Sequence, residues 1–116
     1  MQATRLVLVA SVSALLLPIA ALAKPATCTI KQNGAIQFSG RCDFQPFGGD
    51  GSFSIVNSKG GDLVPGVTQV SVALLQGMAE VRGLTVDGIH SRWGSARRNV
   101  NNPACWDGAD FQICAD

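Results

Sequence analysis

Ile36-Gln37-Phe38-Ser39-Gly40-Arg41-Cys42-Asp43-Phe44 alternates without a break: Ile36, Phe38, Gly40, Cys42 and Phe44 fall on one side, and Gln37, Ser39, Arg41 and Asp43 on the other. Successive side chains of an extended chain point to opposite faces, so period two with one polar side marks a strand half-buried against a core. Upstream, Thr27-Cys28-Thr29-Ile30-Lys31 alternates too, and Gln32-Asn33-Gly34 lies between the two segments. A two-residue Asn33-Gly34 turn would set Ile30 against Gln37, on the wrong face. A three-residue loop with Gly34 left-handed sets Ile30 against Ile36 and Cys28 against Phe38, so the three-residue hairpin is predicted.

Working downstream, Pro46 and Phe47-Gly48-Gly49-Asp50-Gly51 end that strand, and Ser52-Phe53-Ser54-Ile55-Val56 resumes the alternation. Lys59-Gly60-Gly61-Asp62 with Pro65-Gly66 is a second long turn region. Thr68 to Leu75 and Ala79 to Val86 read as adjacent antiparallel strands joined by Gln76-Gly77-Met78. Val70, Val72 and Leu74 share one face, as do Ala79, Val81 and, if Gly83 causes no bulge, Thr85. A helix over Val70 to Arg82 is the competing reading, and the Val and Thr content together with Gly77 tells against it. After Asp87-Gly88, Ile89 to Trp93 makes a short strand and Gly94 to Pro103 reads as polar and irregular. Ala104-Cys105-Trp106 and Phe111-Gln112-Ile113-Cys114, separated by Asp107-Gly108, form a terminal hairpin. Regularly spaced strands, glycine-rich turns and no amphipathic helix predict an all-β fold, a small antiparallel β-barrel or sandwich.

The first residues set the compartment. Arg5, an apolar run from Leu6 to Ala21 and then Ala21-Leu22-Ala23 have the order of a secretory signal peptide, with cleavage expected after Ala23. The run is shorter than the ~20 residues that cross a bilayer and contains Pro18, and Lys24 stands where a lipoprotein would need Cys. A periplasmic or secreted product without membrane insertion is therefore expected. Residues 24–116 form a single domain, small enough to need reinforcement. Cys28, Cys42, Cys105 and Cys114 all lie in it, and an even count in a short exported chain predicts two disulfides. Spacing leaves the connectivity open. Cys28 with Cys42 and Cys105 with Cys114 is preferred because each pair is close in the chain. The register above, however, puts Cys42 four residues past Cys28's partner, roughly 13 Å along a strand. Local pairing thus calls for a bend, expected at Gly40.

Composition excludes several classes. Of nine Lys and Arg residues, eight remain once Arg5 is removed, against eight acidic residues, so the exported part has no net charge to draw it to nucleic acid or an anionic membrane. With no Cys-x-x-Cys and His90 as the only histidine, no recognisable metal-ligand set exists, and no cofactor is expected. His90 beside Ser91 or Ser95 lacks any triad spacing, Asp107 and Asp110 read as turn-forming acids, and Gly48-Gly49-Asp50-Gly51 lacks the Lys-Ser/Thr of a phosphate loop. No enzyme is predicted. The most distinctive stretch is Ser91-Arg92-Trp93-Gly94-Ser95-Ala96-Arg97-Arg98, one indole and three guanidinium groups around Gly94-Ser95. Such a set engages carboxylates bidentately or stacks on a sugar ring, making Arg92, Trp93, Ser95, Arg97 and Arg98 the candidate binding residues. The plainer reading is that Trp93 packs in the core with Trp106 while the arginines form a charged edge that discourages strand-on-strand association.

Two resemblances arise from these residues. Cys28, Gly40-Arg41-Cys42, Gly51-Ser52-Phe53-Ser54-Ile55, Ala104-Cys105-Trp106 and Ile113-Cys114-Ala115 resemble a group of small exported proteobacterial proteins of unassigned function, which implies no activity. Gly94-Ser95-Ala96-Arg97-Arg98 followed by Cys105-Trp106-Asp107-Gly108 is similar to the periplasmic and membrane-bound inhibitors of c-type lysozyme. Their loop has a Ser-Gly-Ala-Lys/Arg-Tyr-like run and then Phe-Trp-x-Lys-Gly. Here serine and glycine are exchanged, Arg98 stands at the tyrosine position, and Asp107 replaces the lysine. The resemblance implies a small disulfide-containing barrel in which Ser95 and Arg97 enter a lysozyme cleft. The expected partner is accordingly a lysozyme-type enzyme or cell-wall glycan, and the alternative is a structural or stress-related envelope protein with no soluble ligand.

Overall fold

The computed structural model of the protein describes residues 23–116; the expected signal peptide, but for Ala23, lies outside them. Among the described residues the strands are β1 (Lys24–Gln32), β2 (Ala35–Phe47), β3 (Ser52–Asn57), β4 (Val67–Leu75), β5 (Met78–Thr85), β6 (His90–Arg98), β7 (Cys105–Asp107) and β8 (Phe111–Ala115). Each pairs antiparallel with its neighbour in sequence, and β8 returns to pair with β1, so the sheet closes into an eight-stranded barrel. The inward residues are mostly β-branched or small, which suits a narrow pleated interior. Cys28, Ile30, Cys42, Ile55, Val70, Val72, Val81 and Ile113 are wholly buried. The connection between β3 and β4 adds Leu63 and Val64 to the same core.

The first hairpin differs from expectation. Asn33 and Gly34 both have positive φ, 51° and 78°, and Gln32 pairs directly with Ala35, so the turn has two residues. This backbone matches the right-handed twist of the strands. The face error that a two-residue turn would cause is corrected by a bulge. Lys31 pairs with Ile36 and Ile30 with Phe38, leaving Gln37 as the extra residue. Beyond the bulge Phe38, Gly40, Cys42 and Phe44 share the side of the core, while Ile36 is 61% exposed. The β4–β5 hairpin also has a tight turn: Gln76 and Gly77, φ 50° and 81°, make a two-residue turn, and Met78, expected in the turn, is the first residue of β5 opposite Leu75.

Both local disulfides form, Cys28–Cys42 with Cα atoms 5.8 Å apart and Cys105–Cys114 with Cα atoms 4.0 Å apart. They are the chemistry of an oxidising compartment. The bend expected at Gly40 is not needed. Pairing runs unbroken from Lys24 opposite Phe44 to Ile30 opposite Phe38. Because of the bulge, Cys28 faces Gly40, and Cys42 stands only two residues further on. Among the described residues no helix is long and apolar enough to cross a membrane.

Two further bulges shape the far side. In β4 Thr68 is extra opposite Leu84 and Thr85, and in β6 Trp93 is extra opposite Val81 and Arg82. Between them Gly83 faces inward, and a Cβ built there would stand 2.8 Å from the Trp93 Nε1 and 3.0 Å from the Val67 Cγ1. The glycine therefore vacates the space that the indole fills. Gly94 to Arg98, expected to be irregular, continues β6 to its end. The glycine and the arginines hid a strand whose only buried side chain there is Ala96, facing Ala79 across the ladder.

Candidate functional site

The five candidate binding residues all lie on β6, and the strand sends them to different places. Trp93, half-buried, turns inward and meets the Phe111 ring edge-on, centroids 5.9 Å apart. Its partner is thus Phe111 rather than Trp106, which is buried one strand away. Arg98 lays its guanidinium 4.6 Å above the Trp106 ring and donates from Nη1 to the Pro103 carbonyl at 3.0 Å. Both residues are thereby committed to the scaffold.

The other three face outward. Arg92 donates from Nε to the Glu80 Oε1 at 2.7 Å, and Arg82 donates to the same oxygen from Nη2 at 3.1 Å. One carboxylate thus serves two guanidinium groups. The Arg92 hydrogen bond, with that of Arg82 behind it, holds the Glu80 carboxyl below the usual carboxylate range. Ser95 is the cross-strand neighbour of Glu80 and is exposed. Arg97 is also exposed and lies two residues on, which in a strand means the same face, roughly 7 Å away. Among the described residues Arg97 makes no ion pair. Its cross-strand neighbour Asp107 is occupied instead, accepting from the Asn99 Nδ2 at 2.8 Å and the Gln112 Nε2 at 2.7 Å. A shallow groove beside Ser95 and Arg92 is lined by Leu75, Gln76, Met78 and Glu80. Leu75, the last residue of β4, is 65% exposed there, and the outer face of β5 and β6 beside it carries Arg82, Arg92 and Arg97 against Glu80.

The remaining sequence candidates are not assembled. His90 begins β6 opposite Leu84 and stands at the other end of the strand from Ser95. Asp50 caps its own turn, accepting from the Ser52 backbone N–H at 3.0 Å; this hydrogen bonding by Ser52 keeps its carboxyl below the ordinary value. Asp107 and Asp110 part company at the turn after β7, Asp107 organising Asn99 and Gln112 while Asp110 faces a cleft.

Sequence reasoning missed that cleft. β7 has three residues and pairs with β6 only at Arg97 and Arg98, so the first half of β6 has no strand neighbour on that side. The gap is a cleft of about 290 Å³ lined by Gln32, Asn33, Arg92, Trp93, Asp110 and Phe111. Glu80 was missed as well, and its alignment with Ser95 follows once β5 and β6 are paired. No protein-family model, curated protein or solved structure matches the chain.

Proposed function

We propose that this is an exported, non-enzymatic binding protein of the bacterial cell envelope. Its outer β5–β6 face takes a protein partner that presents an acidic cleft, and a lysozyme-type glycosidase is the best chemical fit. The observation that carries the reading is Arg97: outward-facing, beside Ser95 on one face, and, among the described residues, without an ion pair, its neighbour Asp107 being held by two amides. A guanidinium left free in water costs little, whereas the same group desolvated against a carboxylate makes one of the stronger hydrogen-bonded pairs. The two outward positions are those that the inhibitor resemblance assigns to the lysozyme cleft, and a small disulfide-bonded barrel is the scaffold it implies. The disulfides support export.

The test is inhibition of cell-wall lysis by c-type lysozyme. A micromolar excess of the protein should slow lysis, and Arg97→Ala should weaken the effect by a factor of ten or more, since losing a buried charge pair costs roughly 2–5 kcal/mol. Unchanged lysis in the presence of the unmodified protein would sink this version. The alternative, a structural or stress-related envelope protein with no soluble ligand, is favoured by Trp93 and Arg98, which serve the scaffold. A pull-down from periplasmic extract separates the two, because the structural reading requires that no stoichiometric soluble partner be found.

A further inference from the structure

We infer that the cleft between β6 and the β1–β8 edge is a binding site for a neutral saccharide, one or two sugar rings in size. Its polar lining is one guanidinium (Arg92), one carboxylate (Asp110) and two carboxamides (Gln32 and Asn33), standing beside the Trp93 and Phe111 ring pair. Among the described residues, the side chains of Gln32, Asn33 and Asp110 make no hydrogen bond. The contact between Asn33 and Asp110 is made by their backbones, N–H to carbonyl at 2.7 Å. Arg92 uses Nε on Glu80, and its two terminal nitrogens have no partner among the described residues. Arg92 and Asp110 line the same cleft without forming an ion pair.

The chemistry of the lining selects the ligand. An anion would gain Arg92 but meet Asp110, with Glu80 behind the guanidinium, and a cation would meet Arg92. An apolar molecule finds little surface, because polar atoms supply most of the cleft wall. A zwitterion could meet both charges, but the two carboxamides that share the lining favour a neutral molecule dense in both donors and acceptors. Planar groups such as these bind adjacent hydroxyls two at a time, the carboxylate and amide oxygens accepting while the guanidinium and amide N–H groups donate. The volume of about 290 Å³ lies at the lower end of the roughly 300–1,000 Å³ of small-molecule sites, which limits the occupant to one or two rings. The site shares only Arg92 with the protein-docking face. The inference therefore stands or falls separately from the lysozyme assay.

The test is titration of the purified, disulfide-bonded protein with the β-1,4-linked disaccharide of N-acetylglucosamine, followed by 1H–15N NMR. The Trp93 indole N–H and the side-chain amides of Gln32 and Asn33 should shift together and saturate. Cellobiose, which keeps the β-1,4 linkage and lacks the acetamido groups, shows in a second titration whether those groups are required, and binding of either sugar at these signals supports the saccharide class. Asp110→Ala should keep the fold, since the carboxylate has no partner among the described residues, and should weaken binding about tenfold through loss of a charge-assisted hydrogen bond. Gln32→Ala should weaken it in the same direction with the barrel signals unchanged. Three results would overturn the inference: no shift with either sugar, shifts confined to another part of the barrel, or binding by a zwitterionic dipeptide in place of the sugars.

Discussion

Replacing Gly108 with Ala adds one methyl group to the turn after β7, and the structure gives that methyl nowhere to go. A Cβ built at Gly108 overlaps the Cε1 and Cζ of Phe111 and stands 2.6 Å from its Cδ1, although the backbone there is not left-handed. The ring cannot simply swing aside. Phe111 is 7% exposed, pairs through its backbone with Gln32, and has the Trp93 indole against its edge. Overpacking of this kind costs about 1–3 kcal/mol, and Ala in place of Gly returns roughly 0.4–1 kcal/mol by restricting the unfolded chain. With the clash at the upper end, the net loss is about 2 kcal/mol, which lowers Tm by about 8–16 °C in a domain of this size. Thermal unfolding followed by near-ultraviolet circular dichroism measures it, because Trp93 reports the displaced ring. Phe111→Leu in the Gly108→Ala background removes the obstructing edge, so the double variant should lose less than the two single losses added together. An unchanged or higher Tm for Gly108→Ala, or strictly additive losses, would refute the packing argument.

Four other outcomes follow from the same contacts. Arg97→Ala should leave stability within about 0.5 kcal/mol, whereas Arg98→Ala should lose about 0.5–1 kcal/mol with its contact over Trp106, the difference being read from urea midpoints. Trp93→Ala should cost about 3 kcal/mol, the low end for loss of a large aromatic side chain because the indole is only half-buried; an unchanged urea midpoint would move Trp93 out of the scaffold. Free-thiol titration of denatured, unreduced protein should find none, and replacing Cys28 and Cys42 together with Ala should cost about 2–4 kcal/mol. The Glu80 pKa is lowered in the folded state by Arg92 and Arg82. Its contribution is thus present above the ordinary carboxylate pKa and lost as pH falls through the depressed value, so Glu80→Gln should flatten the acid side of a stability-versus-pH curve.

The alternating runs around Phe38, Ile55, Val72 and Val81 made the strands legible, since period two survives in any one-sided sheet. Register was less so. The turn at Asn33-Gly34 and the face of Ile36 both depend on Gln37 being extra, and a bulge is an agreement between two strands that neither sequence carries alone. The same holds for Trp93, whose extra position in β6 turns it inward over Gly83 and breaks the expected link with Trp106. For the site, the cluster of arginines was visible but its division was not. Partners one strand away decide which guanidinium is free: Glu80 takes Arg92, Trp106 takes Arg98, and Asp107, held by amides, leaves Arg97. The cleft was invisible because it arises from an unfilled pairing position beside the short β7, a feature with no residue signature.

The return of β8 to β1 carries a consequence for the order of events as the chain is made. Thr27 and Asp116 exchange both of their backbone hydrogen bonds, and the ladder runs on from Cys28 opposite Ala115 to Gln32 opposite Phe111. The first described strand therefore waits for the last one before its free edge is covered. Contacts so far apart in sequence form late and slowly. Until β8 is in place, the β1–β2 hairpin can be held by its own turn and by the Cys28–Cys42 bridge, but the cylinder cannot shut. Loss of the five residues of β8 would thus do more than shorten the chain: it would leave a curved open sheet whose two unpaired edges invite pairing with another molecule.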